Sequence, residues 1–135
     1  MASFSAEILK QGANGYAGYA ASSMLERLPD AKERFAPDPF TRWKTHLNQR
    51  ILELSAALEA GQEKLFISRV IWSRKAFLAR DMEEADLKVS LECLRDVLSE
   101  KLPGPAASDP LSYVGSAIDA LDSDEAIEDE PQLDA

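Results

Sequence analysis

The segment Asp38–Arg80 constrains this chain most, because two long helical patterns meet there at a single glycine, Gly61. In the first pattern Phe40, Trp43, Leu47, Ile51, Leu54 and Leu58 recur at steps of three and four residues, which places all six on one helical face. Asp38 suits an N-cap, since its carboxylate accepts an orphan backbone N–H, and Pro39 fits the first helical position, where its missing N–H is not needed. Gly61 is the expected stop, because glycine enters the left-handed conformation without a Cβ clash. The second pattern carries Leu65, Phe66, Val70, Ile71, Trp72, Ala76 and Phe77. Its apolar residues spread around more of the circumference, so it is expected to be the central helix, covered on several sides.

The rest of the chain is punctuated in the same way. Residues Ser5–Leu28 form a candidate helix with a loose apolar face of Ile8, Leu9, Tyr16, Tyr19, Met24, Leu25 and Leu28. Its middle, GANGYAGYAASS, holds three glycines that each cost about 1 kcal/mol against alanine in a helix interior. The simpler reading is a tightly packed or frayed helix. The sharper one is a contact with a partner subunit or ligand through Gly15, Tyr16 and Tyr19, because tyrosines suit such surfaces. No G-x-x-x-x-G-K-[ST] pattern makes it a phosphate loop.

Pro29-Asp30 breaks that helix, and Asp30–Phe35 is long enough for one short turn. After the hairpin, Asp81-Met82-Glu83-Glu84 has the form of a capping box, with Glu84 reaching back to the Asp81 backbone. Leu87, Leu91, Leu94, Leu98 and Leu102 then share a face, and Pro103-Gly104-Pro105 ends the helix. Asp109-Pro110 repeats the start used at Asp38-Pro39, opening a last helix with Leu111, Val114, Ile118 and Leu121 aligned.

No stretch alternates with a two-residue period, so strands are not expected. Five main helices with short connections imply an all-α bundle, mostly antiparallel between sequential neighbours. Crossed, globin-like packing is the alternative, because periodicity does not fix crossing angles. Residues 1–121 are expected to form a single domain, a size that 135 residues at 45% hydrophobic content support. One cysteine, Cys93, excludes an internal disulfide and suits a reducing cytoplasm. No apolar run approaches the roughly 20 residues of a membrane span. The start, MASFSAEILKQG, lacks the basic and apolar blocks of a secretory signal. A cytoplasmic protein without membrane contact is expected.

The net charge of −9 is uneven. Asp122–Ala135 holds seven of the 24 acids and no base, which leaves 17 acids against 15 bases, a net of −2, in the remainder. This acidic tail has too few apolar groups to offset its ordering entropy and is expected to be disordered. Nucleic acid is an unfavourable partner, since the chain lacks a general basic footprint. Within the hairpin, Arg42, Lys44, Arg50, Lys64, Arg69, Arg74, Lys75 and Arg80 face only Glu53, Glu59 and Glu63. The simpler reading is a solvated face with ion pairs. The functional reading is a docking face for an acidic partner, with Arg69, Arg74, Lys75 and Arg80 at its centre, which the chain's own tail also suits.

Candidates for chemistry are few. His46, the sole histidine, lies one position from the Phe40–Trp43–Leu47 line, where it either hydrogen-bonds at the core edge or ligates a haem or metal. Trp43 and Trp72 stand at core spacing, with ligand stacking as the alternative. Cys93, among leucines, has the setting of an inert buried thiol. Glu83 and Glu84 sit at a helix start, where the dipole and capping account for them. No Ser-His-Asp or Cys-His arrangement follows from the spacing, so neither an enzymatic activity nor a cofactor is expected.

The blocks RWKTHLNQRILELSAAL, LFISRVIWSRKAFLAR and DLKVSLECLRDVLSEKLP together resemble the helical N-terminal region found ahead of cobalamin-binding domains in some bacterial regulatory proteins. The likeness spans roughly Tyr16 to Leu121. It implies a bacterial sensory or regulatory input module. It does not bring cobalamin with it: the usual Asp-x-His-x-x-Gly ligand pattern is absent, and His46 stands in Lys44-Thr45-His46-Leu47. The Trp-x-x-x-Glu-His form of the helical cap in cobalamin photoreceptors is absent around Trp43 as well. The leading expectation is a non-catalytic regulatory module that binds proteins and forms a homodimer. The alternative is a sensor holding a haem, tetrapyrrole or apolar metabolite between helices through Trp43, His46 and Trp72.

Overall fold

A computed structural model describes residues 2–80 and 82–123. They form an all-α bundle of six helices without strands among the described residues: α1 (Ala2–Arg27), α2 (Ala31–Arg34), α3 (Pro39–Ala60), α4 (Glu63–Ala79), α5 (Glu84–Lys101) and α6 (Gly104–Leu121). Helix α2 is the short turn anticipated between Asp30 and Phe35. The local signals at α3 act as their chemistry requires. Asp38 Oδ1 accepts the Thr41 N–H at 3.2 Å, and Gly61 closes the helix at φ 69°. Trp43, Leu47, Ile51, Leu54 and Leu58 are all buried, while Phe40 at the helix start stays about one-third exposed.

Helix α1, which packs against α2, α3, α5 and α6, is the more central element, which corrects the expectation for α4. Its buried line is Ala6, Leu9, Ala13, Ala17, Ala20 and Met24, at steps of three and four. Alanines therefore make up most of the buried seam against the neighbouring helices, and small side chains let those helices come close. Two buried hydroxyls lock the arrangement: Ser55 donates to the Ala6 carbonyl at 2.8 Å and Ser5 to the Ala106 carbonyl at 2.9 Å. Helix α1 runs antiparallel to α3, with Ala6 beside Ser55 and Gly18 beside Phe40 and Lys44. It also runs antiparallel to α5, with Arg27 on Glu92 and the Lys101 ammonium 4.4 Å from the Tyr19 ring centre. By contrast, α4 buries Phe66, Val70, Ile71 and Phe77 but leaves Leu65 and Trp72 each 48% exposed.

Two expected helix starts move. Helix α6 begins at Gly104, with Pro105 in its first turn, and Pro110 lies inside it, buried. An internal proline normally breaks a helix because the carbonyl four residues back loses its donor. Here that carbonyl belongs to Ala106, and Ser5 supplies the missing hydrogen bond from α1. At α5, Glu84 is the first helical residue and forms an ion pair with Arg74. The carboxylate that reaches back is Asp86, which accepts the Glu83 N–H at 2.9 Å, and Asp81 lies outside the described residues. Asp86 is buried and is held by both terminal nitrogens of Arg34, tying α2 to α5. Asp122, expected to open the tail, caps α6 and pairs with Lys88 at 3.0 Å. The remainder of the expected acidic tail, 124–135, lies outside the described residues.

Candidate functional site

The left-handed turn at Gly61 sends α4 back along α3 in the opposite direction, as the pairs Arg50–Ser73 and His46–Phe77 show. Helix α3 leans far more on α1 than on α4. The outer faces of α3 and α4 therefore leave a groove in two connected parts. Near the Gly61 turn, a cleft of about 490 Å³ is lined by Leu52, Ala56, Ala57, Leu65 and Trp72. Towards the other end, a cleft of about 700 Å³ holds His46, Arg50, Ala76 and Phe77 among its walls, with Arg42 and Arg80 at its margin. Gln49, Glu53, Arg69 and Trp72 border both parts, so Trp72 stands at their junction.

The spacing on each helix explains the shared wall. Arg42, Thr45, Gln49 and Glu53 repeat at steps of three and four along α3, as Arg69, Trp72 and Ala76 do along α4 and Arg80 does just past its end. Among the described residues, Glu53 is the one acid that lines either part. Its carboxylate is already engaged by Arg50 at 2.8 Å, and Arg50 also donates to the Ser73 hydroxyl at 2.8 Å. Arg50 is only 3% exposed; burial pulls its pKa down and the Glu53 charge opposes that pull. Among the described residues, Arg42, Arg69 and Arg80 form no ion pair. The groove thus carries three guanidiniums without an ion pair among the described residues, with Arg42 resting over the Phe35 ring at 5.6 Å.

His46 lies at the floor, between core and groove. Its ring packs edge-on against Trp43 at 5.3 Å and Phe77 at 5.0 Å. Burial, reinforced by the charges of Arg50 and Arg80, pushes its pKa down to about 3, so the imidazole is neutral at physiological pH. Its Nε2 is buried and unpartnered, as are Nε1 of Trp43 and Nε of Arg50.

The structure separates the residues singled out in the sequence. Trp43 is fully buried in a cluster with Phe35, His46 and Phe77, whereas Trp72 is half exposed at the groove. The core spacing that suggested burial holds for Trp43 and fails for Trp72, because no described element covers that side of α4. Arg69 and Arg80 line the groove. Arg74 is tied to Glu84, and Lys75 is exposed outside the groove lining. On α1, Gly15 and Tyr19 are exposed and Tyr16 is half-buried against the core. Sequence reasoning missed Gln49, Leu52 and Leu65 as groove residues. Their only signal was an outward position beside a core line, which most surface residues share.

Among the described residues no group of three or more His, Cys, Asp or Glu side chains could hold a metal ion, and no helix is long and apolar enough to cross a membrane. The Cys93 thiol is buried, and burial raises its pKa against the lowering effects of Ser23 and Arg27. It is therefore protonated at neutral pH and a poor nucleophile. What the groove offers is cations, an exposed indole and apolar walls. No family model, curated protein or solved structure matches this chain, and the resemblance to bacterial regulatory proteins rests on the quoted sequence blocks alone.

Proposed function

We propose that this chain is a non-catalytic regulatory module that binds protein partners, and that the α3–α4 groove receives an acidic partner segment. One observation carries the reading: three guanidiniums without an ion pair among the described residues, Arg42, Arg69 and Arg80, line the same cleft as a half-exposed tryptophan. Arginine and tryptophan are both enriched at interfaces, where they act as binding anchors. The test is fluorescence anisotropy with a labelled glutamate-rich peptide and the full chain. Arg69→Glu with Arg80→Glu is expected to weaken binding by more than about tenfold, and added salt to weaken wild-type binding, because exposed charges are screened over about 8 Å at physiological ionic strength. Unchanged affinity in the double variant refutes the reading. A homodimer through the exposed Gly15 and Tyr19 face of α1 belongs to the same proposal. Sedimentation of wild type against Gly15→Leu tests it, and a wild-type monomer at high micromolar concentration removes it.

A second reading has its own observation. The Nε2 of His46 is buried without a partner beside a cleft whose volume, about 700 Å³, falls in the range of small-ligand sites. A sensor holding a haem, tetrapyrrole or apolar metabolite would use that nitrogen. Visible absorbance and native mass spectrometry of the purified protein decide it: a copurifying small molecule lost in His46→Gln favours the sensor.

A further inference from the structure

The two parts of the groove differ in chemistry, and they lie in a fixed order along one axis. The part nearer Gly61 is walled by Leu52, Ala56 and Leu65 and has Arg69 as its one cation. The part nearer Asp38 and Arg80 adds Arg42, Arg50 and Arg80, with Arg50 already spent on Glu53. Trp72 joins them. From Leu65 to Arg80, just past the end of α4, this wall covers sixteen residues, or roughly 22 Å at the α-helical rise.

We propose that the occupant of this groove is an amphipathic helix of a partner protein divided into two halves, one apolar and one acidic. This rests on the groove being the docking site proposed above and names the class of segment it takes. The apolar half seats at Leu52 and Leu65, where both side chains are at least one-third exposed and leave water when covered. The acidic half lies against Arg42, Arg69 and Arg80, whose charges have no acid of their own among the described residues. A helix of about 15 residues fills the length, and helix-in-groove recognition reads such a segment through anchors at i, i+3, i+4 and i+7. A uniformly acidic strand leaves the apolar end uncovered, and a uniformly apolar helix leaves the guanidiniums desolvated and unpaired. Charge and apolar surface are thus complementary to one arrangement of the same residues and not to its mixture.

The experiment uses the full chain and two fluorescein-labelled peptides of equal composition and about 15 residues. In one, leucines occupy one half at helical spacing and glutamates the other; in the second, leucines and glutamates alternate along the length. The segregated peptide is expected to bind at least about tenfold more tightly, and to shift or quench Trp72 emission, read as a change over the steady contribution of Trp43, which is buried in the core. Leu65→Asp lies in the first turn of α4, where an acid suits the helix start, so the fold is retained. It is expected to cost the segregated peptide about tenfold, the loss of one exposed leucine contact. Equal binding of both peptides, or full binding by Leu65→Asp while Arg69→Glu with Arg80→Glu still weakens it, overturns the divided occupant but keeps the groove as a docking site. Failure of both peptides to bind, with Trp72 emission unmoved, overturns the docking site itself. Saturation by a small aryl carboxylate that displaces the peptide and matches its affinity also overturns the divided occupant, since one half of the groove then suffices.

Discussion

The two sides of α3 are built from one helix and end in opposite states. Its inner side, from Trp43 to Leu58, meets the alanine line of α1 and is fully covered. Its outer side, with Thr45, Gln49, Leu52 and Ala56 exposed, meets α4 across a groove. The difference lies in what faces the helix. Alanines 6, 13, 17 and 20 have nothing to hold two backbones apart, so large residues of α3 fill the seam. On the α4 side, Arg50, His46 and Trp72 are long or wide, and all three carry nitrogen groups that need room and partners. A dry seam and an open groove follow from the size and polarity of the opposing side chains, not from the propensity of either helix.

The largest effect that can break this contrast is at the tryptophans. Trp43→Ala is expected to cost about 3–5 kcal/mol in a denaturant melt, the range for a buried aromatic, while Trp72→Ala costs under about 1 kcal/mol. Similar losses at both positions would erase the distinction between core and groove. Next comes the buried pair at the groove wall. Glu53→Ala strands the Arg50 guanidinium and is expected to cost about 2–3 kcal/mol, below the roughly 3–5 of a fully buried pair because Glu53 keeps some exposure. Arg50→Met removes the charge, keeps much of the volume, and is expected to cost less. The reverse order would mean that the guanidinium finds water on its own.

A smaller effect concerns His46. Its folded pKa of about 3 lies below the ordinary 6.5, so between those values the unfolded chain binds the extra proton. Stability therefore rises with pH through this window and is lost as pH falls from about 6.5 towards 3. Acidifying from pH 7 to 5.5 is expected to cost about 1 kcal/mol through this group, a slope that His46→Gln removes. Equal slopes in wild type and variant would place His46 in water. The smallest effect compares two glycines of α1. A methyl at Gly15 meets open space, so Gly15→Ala is expected to stabilise by up to about 1 kcal/mol. A methyl at Gly12 would come within 2.7 Å of the Tyr16 ring, so Gly12→Ala gains less or destabilises in thermal melts.

Much of this molecule was legible because some residues speak only about their own backbone. Asp38 caps α3, Gly61 takes a positive φ, Pro29 and Pro103 stop helices, and the leucine stripe of α5 is buried throughout. Each of these depends on atoms within a few positions along the chain. The groove was legible only in outline: the basic hairpin was visible, but not which of its cations are free. Arg74 is neutralised by Glu84 ten residues on, and Arg50 is buried with Glu53 and Ser73, whereas Arg42, Arg69 and Arg80 find no acid among the described residues.

The sequence by itself determined the helical class, the hairpin at Asp38–Arg80 and the inward face of α3, since periodicity, caps and turn glycines act over short range. Tertiary structure decided that α1 rather than α4 is enclosed, because alanine is equally at home inside and outside until a neighbour arrives. It also decided that α6 runs through Pro110, because the acceptor that proline leaves unpaired is met by Ser5 from a helix 101 residues away. And it left Trp72 uncovered beside three free arginines: a tryptophan at core spacing is buried only where another element packs on that face of its helix, and no described element does so here.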